Sequence, residues 1–162
     1  MKNLILIRHA KSDWPENTED FDRPLVEIGV RNAGLMSKFL KDHGVTIDHF
    51  VASPALRTLT TAQIFDENFH VGIKEDLKLY NPNEGNFLSA IYDLQNSWNT
   101  VAFVSHNNGI SNFSNSLTDH INHFPTCGVA GFEIDCDAWA DFDGAQKKLL
   151  FFYEPKKNLV QK

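Results

Sequence analysis

The sequence predicts an α/β fold, a three-layer α/β/α sandwich in which helices cover both faces of a mostly parallel central sheet. Short apolar runs alternate with segments of helical apolar spacing, in the order β-α-β-α-(β)-α-β-α-β-β. This alternation is typical of a parallel sheet covered on both faces. The last two strands are neighbours in sequence and could form a hairpin, so we expect the sheet to be mixed.

Apolar periodicity and turn residues locate the elements of the first half. A helix is expected after the long polar loop because apolar residues recur there at three- and four-residue steps, up to Gly44, a typical C-terminal cap residue. For the second helix, Ser53 is a good N-cap and Pro54 a good first residue. The expected elements are a strand at 3–7, a loop at 11–24, a helix at 26–43, a strand at 48–53 and a helix from 54 to about 68.

The second half follows the same alternation until the two closing strands. The motif NPNE at 81–84 interrupts the chain before the third helix, and a polar connection at 137–148 separates the closing strands. The expected elements are a short extended stretch at 71–80, a helix at 86–96, a strand at 100–105, a helix through 110–117, and strands at 129–135 and 149–155.

Composition limits the class of protein. The length of 162 residues suits one domain spanning 1–162. The net charge of −6 argues against binding to nucleic acid. No apolar segment approaches the roughly 18 residues of a membrane span, and the run at 4–7 is too short for a signal peptide. Cys127 and Cys136 fit no zinc motif, so we expect a cytoplasmic protein with reduced thiols.

Three predicted strand ends carry residues that can do chemistry. The first ends in Arg8 and His9, the second is followed by Arg57 one helical turn on, and a later one ends in His106. A lone histidine at a strand end more often serves packing, and a lone arginine on a helix is usually a surface charge. Because ligands of such sheets bind beyond the carboxyl ends of the strands, we expect these four side chains to share one site.

The chemistry of this set indicates an anionic ligand. Two arginines and two histidines with no adjacent carboxylate would repel one another unless an anion lies between them. The guanidinium fork matches phosphate oxygens, and the helix N-termini after Ser53 and Ser105 offer further N–H donors. A phosphoryl group is therefore the expected occupant.

Several motifs resemble one known family. RHA at 8–10, DFDRPL at 20–25, SPALRTLTTA at 53–62 and VSHNNG at 104–109 resemble the histidine phosphatase superfamily, the phosphoglycerate mutase-like group. RHAKSDW, the DRPL loop, WADF at 139–142 and the terminal LLFFYEPKK resemble its small SixA-like branch of phosphohistidine phosphatases. The resemblance implies a phosphoglycerate mutase-like fold and a phosphatase that needs neither a metal nor another cofactor.

The resemblance also implies a role for individual residues. His9 would be the nucleophile that carries a phosphohistidine intermediate. Arg8 and Arg57 would clamp the phosphoryl oxygens, and His106 would donate a hydrogen bond to the same group. The backbone N–H of Asn107 and the side chain of Ser12 could contact the phosphoryl group as well, although loop and cap chemistry is the simpler explanation for Ser12 and an equally good one for Asn107.

The sequence leaves the substrate open. Glu84 is the only loosely placed candidate for the acid that would protonate a leaving oxygen, and an acidic residue in the first turn of a helix is the simpler reading. The absence of a well-defined acid favours phosphohistidine or an activated ester, because an ordinary alkoxide leaving group needs a proton from the enzyme. The absence of a capping insertion favours a protein-borne substrate, with inorganic phosphate as product. A broad-specificity or small-molecule phosphomonoesterase and a non-catalytic module that binds phosphorylated partners are the alternatives.

Overall fold

The computed structural model describes residues 1–159, and its elements follow the predicted order. The strands are β1 Lys2–Arg8, β2 His49–Ala52, β3 Ile73–Glu75, β4 Thr100–Ser105, β5 Val129–Ile134 and β6 Lys147–Tyr153. The helices are α1 Glu27–Asp42, α2 Leu56–Phe69, α3 Glu84–Tyr92, α4 Gly109–Ser116 and α5 Pro155–Asn158. Short 3-10 helices span Asp20–Asp22, Leu77–Leu79 and Trp139–Asp141.

All six strands form one mixed sheet in the order β3-β2-β4-β1-β5-β6. The four strands β3, β2, β4 and β1 are parallel, whereas β5 runs antiparallel to β1 and pairs with β6 as a hairpin. Arg8 lies opposite Ser105, and Ala52 lies opposite Val104. The carboxyl ends of β1, β2 and β4 therefore meet at one edge of the sheet, as predicted.

The sheet separates two apolar layers, and this confirms the sandwich. Successive side chains of a strand point to opposite faces, so β1 contributes Leu4 and Leu6 to one layer and Ile5 and Ile7 to the other. The first layer contains the buried residues of α3 and α4, and the second contains those of α1 and α2. No helix within residues 1–159 is long and apolar enough to cross a membrane.

Two helix starts differ from the prediction. The N-cap of α2 is Ala55 and its first residue is Leu56, so Ser53 does not cap this helix and Pro54 precedes it. Helix α3 starts at Glu84 rather than at 86 because Asn83 and Asn86 form a reciprocal capping box, with both bonds 2.9 Å long. The hydroxyl of Ser53 contacts His106 instead, and this contact is described below with the site.

Helix α1 approaches the loop that follows β1 very closely at Gly29. A β-carbon at this position would overlap the carbonyl oxygen of Lys11, which accepts a hydrogen bond from the backbone N–H of Val26 at 3.0 Å. At Gly34, in the same helix, the nearest atom would lie 3.9 Å away, on the side chain of Ile64. Gly29 therefore allows the contact between α1 and this loop, whereas Gly34 only lowers helix propensity.

We predict opposite effects of alanine at these two glycines. Gly29→Ala should lower the free energy of unfolding by about 1–3 kcal/mol through overpacking, and Gly34→Ala should raise it by about 0.5–1 kcal/mol through helix propensity. Urea unfolding monitored by circular dichroism measures both values. Equal effects of the two substitutions would show that the close contact at Gly29 is unimportant.

Candidate active site

The structure brings the four predicted residues together in one cavity at the strand-end edge of the sheet. The cavity has a volume of about 570 Å³. Its lining residues are Arg8, His9, Lys11, Ser12, Asp20, Arg23, Arg57, Tyr80, Asn81, His106, Asn107 and Thr126. Four of them are permanently cationic side chains and one is an acid, so the cavity has a positive character suited to an anion.

His9 is fixed by its backbone and by one ring nitrogen. Its backbone N–H donates to the carbonyl oxygen of Ser105 at 3.1 Å, which ties it to the end of β4. Its Nδ1 lies 2.8 Å from the carbonyl oxygen of Ala10. Because a carbonyl can only accept, Nδ1 carries the hydrogen, and in the neutral ring Nε2 keeps the free electron pair.

The ring of His9 is neutral at physiological pH. Burial and the positive charges of Arg57, Arg8 and Arg23 together lower its pKa to about 4, and the hydrogen bond to Ala10 opposes this shift without overcoming it. Only 6% of the residue is exposed. Both conditions for a nucleophilic nitrogen, an unprotonated Nε2 and a fixed ring, are therefore present.

His106 is held by Ser53, the residue predicted to be a helix cap. The Nε2 of His106 lies 2.8 Å from Ser53 Oγ, and this hydroxyl oxygen also accepts the backbone N–H of Ala55 at 3.3 Å. The hydroxyl hydrogen then has Nε2 as its acceptor, so we assign the hydrogen of the neutral ring to Nδ1. This Nδ1 is buried and has no partner within residues 1–159.

His106 is also neutral. Burial, reinforced by His9, Arg57 and Arg8 and opposed by Asp20, lowers its pKa to about 3. The ring centroids of His9 and His106 are 5.4 Å apart. Two protonated rings at this separation would repel each other strongly, and their neutrality removes that repulsion.

Each arginine uses one end of its guanidinium for anchoring. Nη1 of Arg8 donates to the carbonyl oxygen of Phe124 at 2.8 Å. Nη1 of Arg57 donates to the main-chain oxygen of Asp20 at 2.6 Å, and its Nη2 donates to the Asp20 carboxylate at 3.2 Å. The Nε of both arginines is buried and has no partner among the described residues. Both guanidinium groups therefore keep an N–H that no described residue accepts.

Asp20 contradicts the expectation that no carboxylate lies beside the arginines. Its Oδ2 accepts the hydroxyl of Tyr80 at 2.6 Å and Nη2 of Arg57, and its Oδ1 accepts Nη1 of Arg23 at 3.3 Å. Burial acts to raise the pKa of Asp20, but the bonds from Tyr80, Arg57 and Arg23 outweigh it and lower the pKa to about 2. Asp20 is therefore ionised at neutral pH and partly offsets the positive charge.

Asp20 and Arg23 belong to the motif DFDRPL, but the sequence analysis assigned neither of them, nor Tyr80, to the site. The long polar loop was a general signal for the first two, because loops of this length are often functional. The sequence around Tyr80 contained no comparable signal. Its role depends on a contact between residues 60 positions apart in the chain.

Ser12 and Asn107 both line the cavity, but their side chains are engaged by the protein. The hydroxyl of Ser12 accepts Nη2 of Arg23 at 3.0 Å. The side-chain oxygen of Asn107 accepts the hydroxyl of Ser111, and its nitrogen lies 3.5 Å from the carbonyl oxygen of Phe124. Each side chain therefore has a local structural partner in addition to its place at the cavity.

Glu84 does not line this cavity. It lies in the first turn of α3 and borders a neighbouring cavity of about 710 Å³ that shares Asn81 and Asn107 with the site. This position matches the simpler reading of Glu84, an acid near a positive helix end. Within residues 1–159, no group of three or more His, Cys, Asp or Glu side chains could hold a metal ion.

Comparisons with known proteins identify the family. The model of the histidine phosphatase superfamily (branch 1) matches residues 4–90, and the chain belongs to this superfamily. The uncharacterized protein Rv1276c of Mycobacterium tuberculosis is 28% identical over 165 residues, which cover 93% of this chain and 100% of the relative. Membership agrees with the enzyme class predicted from the motifs, a phosphatase.

Solved structures place the chain near the SixA-like branch. A protein of Agrobacterium tumefaciens assigned as the phosphohistidine phosphatase SixA is 26% identical, with a TM-score of 0.82 over 95% of this chain and 98% of that one. The protein histidine phosphatase SixA complexed with tungstate has the same fold, with 21% identity and a TM-score of 0.83 over 98% of this chain and 99% of that one. These matches confirm the predicted fold and the resemblance to this branch.

We predict that acid weakens the fold through the two neutral histidines. An unfolded histidine binds its proton with a pKa near 6.5, whereas His9 and His106 bind it only near 4 and 3. Between these values the unfolded chain holds more protons, so stability should fall as the pH drops below about 6.5. Urea unfolding between pH 7 and pH 4 measures the slope. His9→Gln should make the slope shallower, and an unchanged slope would contradict the assignment.

We also predict that Ser53 fixes the tautomer of His106. In the wild type, ¹⁵N chemical shifts of the ring should show hydrogen on Nδ1. In Ser53→Ala the ring should populate both tautomers, because its Nε2 no longer accepts a hydrogen bond from the hydroxyl of Ser53. Ser114→Ala is the matched control, since this buried hydroxyl has no partner among the described residues. A single Nδ1–H tautomer that persists in Ser53→Ala would refute the role of Ser53.

Proposed function

We propose that the protein is a metal-independent phosphatase that dephosphorylates phosphohistidine in proteins through a phosphorylated His9. One observation carries this proposal. The described part of the chain contains four buried side-chain atoms without a hydrogen-bond partner, and three of them, Arg8 Nε, Arg57 Nε and His106 Nδ1, belong to residues of one cavity. A phosphoryl group has three acceptor oxygens for these three donors.

The first step transfers the phosphoryl group to His9. Nε2 attacks phosphorus, a new P–N bond forms, and the bond to the leaving group breaks. Arg8, Arg57 and His106 hold the equatorial oxygens, and the backbone N–H of Asn107 and the side chain of Ser12 lie at the rim of the same group. The fixed donors stabilise charge that develops in the transition state, and each is worth about 10²–10³ in rate.

The second step returns the enzyme to its starting state. Water attacks phosphorus, the P–N bond to Nε2 breaks, and inorganic phosphate carries the oxygen and both hydrogens of that water. His9 leaves as a neutral imidazole because Nδ1 keeps its hydrogen on the Ala10 carbonyl. No metal or other cofactor takes part in either step of this scheme.

A protein substrate is supported by the surroundings of the cavity. Between α2 and α3 the chain forms only β3 and one 3-10 helix, so no inserted helix covers the entrance. The neighbouring cavity of about 710 Å³ continues from the site through Asn81 and Asn107. It offers space for the residues that flank a phosphohistidine. The similar protein from Agrobacterium tumefaciens is itself assigned as a phosphohistidine phosphatase. The cytoplasmic location stays a prediction from the sequence.

Phosphate release from three substrates tests the proposal. A phosphorylated phosphotransfer protein and a phosphohistidine peptide should be hydrolysed with a higher kcat/KM than p-nitrophenyl phosphate, and a chelator should have no effect. Faster turnover of the ester would favour a general phosphomonoesterase. Binding without turnover of any substrate would favour a module that recognises phosphorylated partners.

We predict that His9→Ala abolishes turnover and leaves the fold intact, because the substitution removes the nucleophile. Rapid quench with ³²P-labelled substrate should trap a phosphorylated wild-type enzyme and no phosphorylated His9→Ala protein. His43→Ala is the matched control, since His43 is an exposed histidine outside the cavity. Labelling of His9→Ala at the wild-type rate would exclude His9 as the nucleophile.

A further inference from the structure

Asp20 is unusual in a site for a phosphoryl group. It is the one acid among the described residues that line the cavity. A carboxylate next to a phosphoryl dianion is a like-charge contact, which weakens binding of an ordinary phosphate ester. The remaining lining residues are all cationic or neutral, so the position of this single negative charge calls for a chemical explanation.

The contacts of Asp20 hold its carboxylate in the site. Arg57 binds both its main-chain oxygen and its carboxylate, Tyr80 binds the carboxylate from a distant part of the chain, and Arg23 binds it from the end of the same 3-10 helix. About a third of the side chain, 34%, remains exposed. The carboxylate is therefore anchored and still has a face accessible to a ligand.

Arg57 can bind Asp20 and a phosphoryl group at the same time. Asp20 occupies Nη1 and Nη2, whereas Nε–H has no partner in the described protein. Arg57 can thus lie between the carboxylate of Asp20 and the phosphoryl group of the substrate.

We propose that Asp20 accepts a hydrogen bond from the protonated imidazole of the leaving group and thereby selects phosphoryl groups bound to nitrogen over those bound to oxygen. This inference rests on the proposed function. A phosphohistidine protonated at its second ring nitrogen carries a positive N–H, which complements a carboxylate. A phosphate ester has no such group and meets only the repulsion.

The proposed contact also removes the need for an enzymatic acid. The P–N bond of the substrate breaks, its electron pair returns to the leaving nitrogen, and the other nitrogen keeps its proton. The leaving group is then a neutral imidazole, while the new P–N bond forms at His9 Nε2. An alkoxide would need a proton, which an ionised Asp20 cannot supply and which Glu84, outside the cavity, does not offer.

Asp20→Asn tests the proposal, with Asp22→Asn as the matched control. Asp22 lies in the same 3-10 helix, is exposed and does not line the cavity. The probes are peptides of one sequence that carry phosphohistidine or phosphotyrosine. For Asp20→Asn we expect kcat/KM for phosphohistidine to fall about 10- to 100-fold, the value of one charged hydrogen bond. For phosphotyrosine it should stay within about threefold or rise, and Asp22→Asn should change neither.

The pH profile gives a second readout. In the wild type, kcat for phosphohistidine should fall as the bound substrate imidazole loses its proton, and in Asp20→Asn this fall should begin at lower pH, because no carboxylate stabilises the protonated ring. An equal loss on both substrates would mean that Asp20 only positions Arg57, and it would overturn the inference while the proposed function stands. A wild type without activity on phosphohistidine would overturn both.

Discussion

The parallel pairing of β4 with both β1 and β2 is the constraint on which the site depends. Because Arg8 lies opposite Ser105 and Ala52 lies opposite Val104, three strands end within one residue of each other. A register shift of one residue would turn alternating side chains to the opposite face. The hydrogen bond from the backbone N–H of His9 to the carbonyl oxygen of Ser105 holds the candidate nucleophile in position at the end of β4.

The strand ends create a charge problem that the surrounding residues solve. Burial, together with the charges of the nearby arginines, which keep their protons, lowers the pKa values of His9 and His106 to about 4 and 3, so both rings are neutral. Asp20 supplies the compensating negative charge for Arg57. The result is a cavity that is positive towards a ligand yet contains no pair of adjacent charged rings. Electrostatics thus fixes the protonation states before any substrate arrives.

The parts of the site that depend on local sequence could be predicted, and those that depend on distant contacts could not. Strand ends mark Arg8, His9 and His106, and helical spacing after β2 marks Arg57. Ser53 was predicted as a cap because Ser-Pro is a common helix start, yet its hydroxyl binds a ring 53 positions away. The place of Asp20 depends on how the long loop folds back onto α2, and no pattern in that loop specifies this contact.

The hydrogen bond between His9 Nδ1 and the Ala10 carbonyl also decides regiochemistry. An imidazole can carry a phosphoryl group on either nitrogen, and the two isomers are different chemical species. Under the proposed mechanism, Nδ1 is occupied by the next residue of its own backbone, so only the Nε2 isomer would form on His9. Substrates phosphorylated on either ring nitrogen would thus give the same isomer of phosphorylated His9, because the carbonyl of Ala10 occupies Nδ1 and leaves only Nε2 free to react.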